Sequence, residues 1–165
     1  MIEQTEITNL IEQELLLVSN KRAIEHIRSL LIPPKPILLD WDYGDVDEQH
    51  LCWIVLEETR ANIGIAYCKE GFGPTFPWGL VMPEEGASMG MDAGWFFHFI
   101  EAYVESAGSE VPIWCVTKQE QEGLDERITE QAGWDETWAE AERLRVLYPT
   151  SRYNVRTPIL DGFER

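Results

Sequence analysis

The chain has 165 residues and carries 30 acidic against 13 basic side chains, which gives a formal net charge of −17. Seven Trp, six Phe and five Tyr exclude a disordered acidic tail, because this many large apolar side chains can build a core. A surface this negative repels phosphate backbones and attracts cations or basic proteins, so we expect no nucleic-acid partner.

Two helical segments are predicted before Pro33-Pro34. Apolar residues recur at intervals of three and four from Ile7 to Val18, and the same spacing resumes from Ile24 to Leu31. Ser19-Asn20 interrupts the pattern, so either two antiparallel helices or one kinked helix fits. The two prolines end the helical region because proline cannot continue a helix.

A strand is expected at 36–43, followed by the clearest β signal of the chain. Residues 51–57 and 62–69 are β-branched and aromatic runs separated by four residues, which is typical of a hairpin. A register symmetric about Arg60 predicts three cross-strand pairs: Cys52 with Cys68, Trp53 with Tyr67, and Ile54 with Ala66. Both faces of this hairpin are largely apolar, so we expect it at the centre of a sheet.

The second half of the chain adds one loop, one strand and further helices. We predict a loop at 71–79, a helix from Asp92 through Tyr103, a strand at 111–116, a weak helix after Thr117, a helix from Asp135 to Pro149, and a basic, extended tail at 150–165 with one edge strand at 155–160. A central hairpin argues against a doubly wound parallel sheet. The expected fold is therefore α+β, with a mainly antiparallel sheet packed against N-terminal and C-terminal helices in a single domain, 1–165.

The densest group of carboxylates lies in the turn after the first predicted strand. It consists of Asp40, Asp42, Asp45, Asp47 and Glu48. Alternate carboxylates can bind a hard cation, but the spacing does not match an EF-hand loop, and charge runs are usually solvated. We therefore predict no metal and no cofactor here. Glu84 and Glu85 form a second acidic pair within a stretch, 70–117, that contains no Lys or Arg.

The loop 71–79 is unusual in combining three glycines and two prolines with the aromatic residues Phe72, Phe76 and Trp78. Two interpretations are open. The rings can form a rigid platform for a partner, because prolines reduce the entropy lost on binding. Alternatively, they can fold back and cover the end of the sheet, since exposed aromatic clusters are uncommon on monomers.

Three cysteines, at positions 52, 68 and 115, lie in apolar stretches and form no CxxC pair. We expect them to be reduced and buried, as in a cytoplasmic protein. The first residues lack a basic and an apolar region, so no signal peptide is predicted, and no apolar run is long enough for a bilayer. An enzyme is one alternative, either with a Cys–His site that pairs Cys68 with His50 or with the Glu84-Glu85 carboxylates.

In size, charge and aromatic content the chain resembles small acidic immunity and antitoxin-like proteins, which neutralise basic nuclease toxins in bacteria. The resemblance implies a cytoplasmic, non-enzymatic protein that binds a basic protein partner. The contact surface expected from the sequence is the turn 40–48, Glu84-Glu85 and the aromatic loop, because a focused negative surface accelerates binding to a positive partner. A nucleic-acid mimic is the second alternative.

Overall fold

The computed structural model describes residues 2–164, apart from the side chains of Ser109 and Glu122. It shows an α+β fold with two antiparallel sheets, as the sequence predicts. The helices are α1 (Gln4–Leu15), α2 (Lys21–Leu30), α3 (Phe99–Ser106) and α4 (Trp134–Leu147). The strands are β1 (Leu31–Asp40), β2 (Gln49–Glu58), β3 (Ile63–Tyr67), β4 (Trp78–Val81), β5 (Trp95–Phe96), β6 (Cys115–Gln119), β7 (Asp125–Arg127) and β8 (Tyr153–Arg156).

The N-terminal region forms two separate helices. The predicted apolar stripe of α1 is buried at Ile7, Ile11 and Leu15. Asn20 ends the interruption between the helices, because its side chain accepts a hydrogen bond from the Ala23 N–H at 3.0 Å and caps α2. Both helices contribute to a core that also contains buried residues of β2, β3 and β4.

The first sheet has five strands in the order β1-β2-β3-β4-β5. Two predicted pairs of the central hairpin are confirmed, Trp53 with Tyr67 and Ile54 with Ala66. Toward the turn the register shifts by one residue, because β2 contains an irregularity between Ile54 and Leu56.

The first strand begins at Leu31, not at Pro36 as predicted. β1 is an edge strand of the sheet, so its outward-facing backbone positions do not have to donate a hydrogen bond to a neighbouring strand. Proline, which has no backbone N–H, is tolerated at such positions. A register shift between Leu31 and Lys35 accommodates Pro33-Pro34. The helical region thus ends at Leu30, before the two prolines as expected, and Pro33-Pro34 themselves lie inside a strand.

The predicted helix from Asp92 is wrong in its first half. Residues Asp92–Gly94 form a 3₁₀ turn, and Trp95–Phe96 pair with β4 before α3 begins at Phe99. The two strand residues place Trp95 against Gly79 of β4, where an added Cβ would lie 2.4 Å from the indole. This close approach requires glycine at position 79.

The second sheet has three strands in the order β7-β6-β8 and packs on α4. The strand predicted at 111–116 begins later, at Cys115, and the weak helix predicted after Thr117 is instead a 3₁₀ turn followed by β7. On α4 the buried residues are Thr137, Ala141 and Leu144, while Trp138 and the C-cap residue Tyr148 are substantially exposed.

The C-terminal segment is folded, in contrast to the extended tail that was expected. β8 pairs with β6, a 3₁₀ turn follows at Pro158–Leu160, and Ile159 is buried in the main core. Within residues 2–164, no helix is both long and apolar enough to cross a membrane.

Candidate functional site

The acidic turn, 40–48, and the Glu84-Glu85 pair are separated by 35 residues in sequence, 49–83, but the segment that begins with the pair returns to the turn. The segment 84–89 runs along the end of β1. The Gly86 N–H donates to the Leu38 carbonyl at 3.0 Å, the Asp40 N–H to the Ala87 carbonyl at 2.8 Å, and the Met89 N–H to the Asp40 carbonyl at 2.9 Å. This pairing extends the edge of the first sheet and joins the two acidic segments into one surface.

We call this surface the acidic face. It consists of Asp40, Asp42, Asp45, Asp47, Glu48, Glu84 and Glu85, with the aromatic residues Tyr43 and Phe72. Most of its carboxylates are exposed, and only Asp40 and Glu48 are half-buried.

Hydrogen bonds fix the shape of the turn. Glu48 closes it, because its backbone carbonyl accepts from the Trp41 N–H at 2.8 Å and its Oε2 accepts from the Asp45 N–H at 2.9 Å. Gly44 permits this closure, since an added Cβ would overlap the Glu48 carboxylate. Asp47 adopts a φ of 69°, in the left-handed region that Asp and Asn tolerate best among residues with a side chain.

The carboxylates of the face differ in how they are used. Asp42 accepts a hydrogen bond from the Ser88 hydroxyl, and Glu85 accepts one from the Leu38 N–H at 3.0 Å. Within residues 2–164, the carboxylates of Asp45 and Asp47 have no hydrogen-bond or ion-pair partner. These two charges are therefore the most available to a partner.

Aromatic rings support the turn from beneath. Trp41 contacts Phe72 with ring centroids 4.9 Å apart, Tyr43 contacts Phe72 at 5.7 Å, and Trp41 also lies 5.3 Å from His50. Tyr43 is 59% exposed, whereas Phe72 is half-buried. Trp41 and Tyr43 are not among the site residues predicted from the sequence, although their alternation with Asp40 and Asp42 was a visible signal.

The rings of the aromatic loop differ: Phe72 and Trp78 fold back onto the sheet, and Phe76 is exposed. Phe72 folds back onto Trp41 and Trp95, and Trp78 is only 2% exposed in β4, against Tyr67 and Phe99. Phe76 is the exposed ring of the loop, at 47%. Trp78 is therefore a core residue and is not part of the acidic face.

The alternative enzyme sites are not assembled. All three histidines lie near carboxylates, with His26 Nε2 3.4 Å from Glu110, His50 Nε2 3.6 Å from Glu48, and His98 Nδ1 3.5 Å from Glu14. Among the described side chains, no imidazole forms a hydrogen bond with a thiol, since Cys52 and Cys68 donate to the backbone carbonyls of His50 and Leu51. Glu84 and Glu85 do not converge either, since Glu84 accepts from Asn62 and Glu85 from the β1 backbone.

The three cysteines are free and almost completely buried, as expected. The hydrogen bond with Cys68 and burial raise the pKa of the Cys52 thiol, and burial raises the pKa of Cys115. Both effects suppress the thiolate, which is the nucleophilic form, at Cys52 and Cys115. At Cys68 the hydrogen bond with Cys52 acts in the opposite direction and lowers the pKa of the thiol, although the side chain is fully buried. Among the described residues, no group of three or more His, Cys, Asp or Glu side chains is placed to hold a metal ion.

Thiol labelling checks this burial. We expect the native protein to react with a thiol reagent at least roughly tenfold more slowly than a free thiol, because reaction must wait for local opening. After denaturation all three cysteines should react. Fast labelling of native Cys68 would contradict its burial and would revive the Cys–His alternative.

Comparisons of this chain with protein-family models, with curated proteins and with solved structures find no match.

Proposed function

We propose that this chain is a cytoplasmic, non-enzymatic protein that binds a basic protein partner through the acidic face. The observation that carries the proposal is the joining of the turn 40–48 and the segment 84–89 along the edge of the first sheet. Six of the seven carboxylates lie in the turn 40–48 or beside the end of β1, whereas Glu84 accepts a hydrogen bond from Asn62 in the turn between β2 and β3. Such a concentration of one sign of charge attracts and orients a partner of the opposite sign.

The aromatic residues of the face support a protein as the partner. Tyr43 exposes more than half of its surface above the half-buried Phe72, and Tyr is among the residues enriched at protein interfaces. A nucleic-acid mimic calls for carboxylates spaced like phosphates along an elongated surface. Here they are confined to one turn and one neighbouring segment, which favours a compact basic patch on the partner.

The test neutralises the charges of the face without removing its hydrogen bonds. The variant Asp42→Asn, Asp45→Asn, Asp47→Asn removes three negative charges. Asparagine keeps an acceptor oxygen for Ser88 at position 42 and tolerates the left-handed φ at position 47. We expect association with the basic partner to slow roughly tenfold at low ionic strength, because electrostatic steering is lost.

A matched control separates the local field from the net charge. The variant Glu25→Gln, Asp125→Asn, Glu126→Gln also removes three exposed charges, from α2 and β7. Host lysate is passed over immobilised wild-type and variant proteins, and captured proteins are identified by mass spectrometry. The proposal requires a basic protein that the wild type and the control capture and the acidic-face variant does not.

Salt provides the second arm of this experiment. The Debye length falls from roughly 30 Å at 0.01 M to about 10 Å at 0.1 M, so capture should weaken over this range. If no basic protein is captured at either salt concentration, or if both triple variants lose it equally, the acidic face has no role in recognition. The charge would then serve solubility.

A further inference from the structure

A second concave surface lies between α3 and the C-terminal segment and shares no residue with the acidic face. It comprises two cavities of about 560 and 310 Å³ that share the lining residues Val104, Glu105, Trp114 and Val155. The larger cavity continues to Thr157 and Phe163, and the smaller one ends at Trp134. Together they form one groove that is open to solvent.

Indole rings line one end of this groove. Trp114 and Trp134 meet edge to face, with ring centroids 4.6 Å apart, and Trp134 is 36% exposed. The Trp114 N–H already donates to the Gly108 carbonyl at 3.0 Å. Trp114 is only 9% exposed, so Trp134 supplies most of the accessible aromatic surface of the groove, and such surface attracts organic cations.

The charges of the lining also favour a cation. Among the described residues, three charged side chains line the groove, those of Glu105, Arg156 and Asp161. Arg156 and Asp161 form an ion pair with each other. Glu105 is exposed and has no opposite partner within residues 2–164, so it leaves the groove with one uncompensated negative charge.

A buried hydroxyl supplies an independent observation. Thr157 is only 7% exposed, and its Oγ1 is buried without a hydrogen-bond partner among the described residues. Burying a hydroxyl unpaired is unfavourable, so this arrangement is rare in native proteins and calls for an explanation. Thr157 lines the larger cavity, but its Oγ1 has almost no accessible surface, so a polar group in the cavity pairs with this hydroxyl only after the side chain turns toward it.

We infer that this groove binds an organic cation, namely an alkylammonium or guanidinium group on an apolar chain. Glu105 pairs with the cationic head beside the two indoles, Val104 and Val155 contact the chain, and Thr157 takes a polar group of the ligand. A free amine and a Lys or Arg side chain of a peptide share this chemistry. The inference does not rest on the function proposed for the acidic face.

The test is an NMR titration of the ¹⁵N-labelled full chain, following the indole N–H signals of Trp114 and Trp134 and the Thr157 amide. The probes are 2-phenylethylamine, its neutral counterpart 2-phenylethanol, and N-acetyl-lysine amide. We expect saturable shifts with an ammonium probe and at least roughly tenfold weaker binding of the alcohol, because the alcohol has no charge to pair with Glu105. Binding of the free amine alone identifies the ligand as a small amine, and binding of the lysine amide identifies a basic peptide residue.

Two variants assign the contacts. Glu105→Gln should weaken binding of the ammonium probe at least roughly fivefold. Glu126→Gln, which removes the same charge from exposed β7 across β6, should leave it unchanged. Thr157→Val keeps the side-chain shape but removes the hydroxyl, so it should weaken the binding of N-acetyl-lysine amide. Absence of saturable shifts, equal binding of amine and alcohol, or unchanged amine affinity in Glu105→Gln would overturn the inference.

Discussion

Replacing Trp78 by alanine is expected to lower the free energy of unfolding by about 3–5 kcal/mol. The indole is 2% exposed and meets Tyr67 and Phe99 with ring centroids 4.9 and 5.4 Å apart. Its removal leaves a cavity between β4 and α3 that the surrounding rings cannot fill without moving. The loss is a large part of the 5–15 kcal/mol typical of a domain, and urea unfolding followed by circular dichroism measures it.

Phe76→Ala is the matched control, because Phe76 lies two residues earlier and is 47% exposed. We expect this variant to lose less than about 1 kcal/mol, as surface substitutions usually do. Equal losses for the two variants would show that Trp78 is not the core residue described above. Comparing the free energies of unfolding of the two variants thus shows which ring of the aromatic loop belongs to the core and which does not.

Local pattern was sufficient for much of the fold. The stripe on α1 and the pairs Trp53–Tyr67 and Ile54–Ala66 follow from periodicity and from symmetry about a short turn, both of which act over a few residues. The start of β1 was missed because proline predicts the end of an element. Only the position of the strand at the edge of the sheet makes Pro33-Pro34 acceptable there.

The region around α3 shows where local signals are misleading. Asp92 and the apolar residues after it satisfy a helix pattern, yet Trp95 and Phe96 pair with β4. A long-range contact outweighs propensity here, since Gly79 leaves space for the Trp95 indole. Nothing within a window of ten residues contains that information.

The candidate site was predictable in its parts but not in its assembly. The carboxylates of the turn and of Glu84-Glu85 stand out in the sequence, and each group was identified. Their proximity depends on backbone hydrogen bonds between the segment 84–89 and the end of β1, which join residues more than forty positions apart. The groove between α3 and the C-terminal segment could not be predicted from the sequence, because it arises where α3, β8 and that segment meet.

Replacing Glu14 of α1 by alanine is expected to lower the free energy of unfolding by about 2–3 kcal/mol. Its two carboxylate oxygens accept hydrogen bonds from the Phe99 and Ile100 N–H groups, at 3.1 and 3.0 Å, at the start of α3. Both residues are fully buried, so their donors lose a partner that water cannot easily replace. Glu12→Ala is the control. Glu12 lies on the surface of α1 and pairs with Arg28 of α2, and its replacement should cost less than about 1 kcal/mol.

The same carboxylate makes stability depend on pH. Burial raises the pKa of Glu14 above 4.5, and the bonds from Ile100 and Phe99 and the nearby His98 only partly offset this effect. Above pH 4.5 the Glu14 carboxyl therefore binds more protons in the folded state than in the unfolded state. The free energy of unfolding consequently falls as pH rises through the folded-state pKa. Glu14→Gln keeps one acceptor oxygen and does not titrate. Urea unfolding at about pH 4 and about pH 6 should show the wild type losing stability relative to Glu14→Gln. A relative gain over this interval would mean that the hydrogen bonds outweigh burial and that the pKa of Glu14 is lowered.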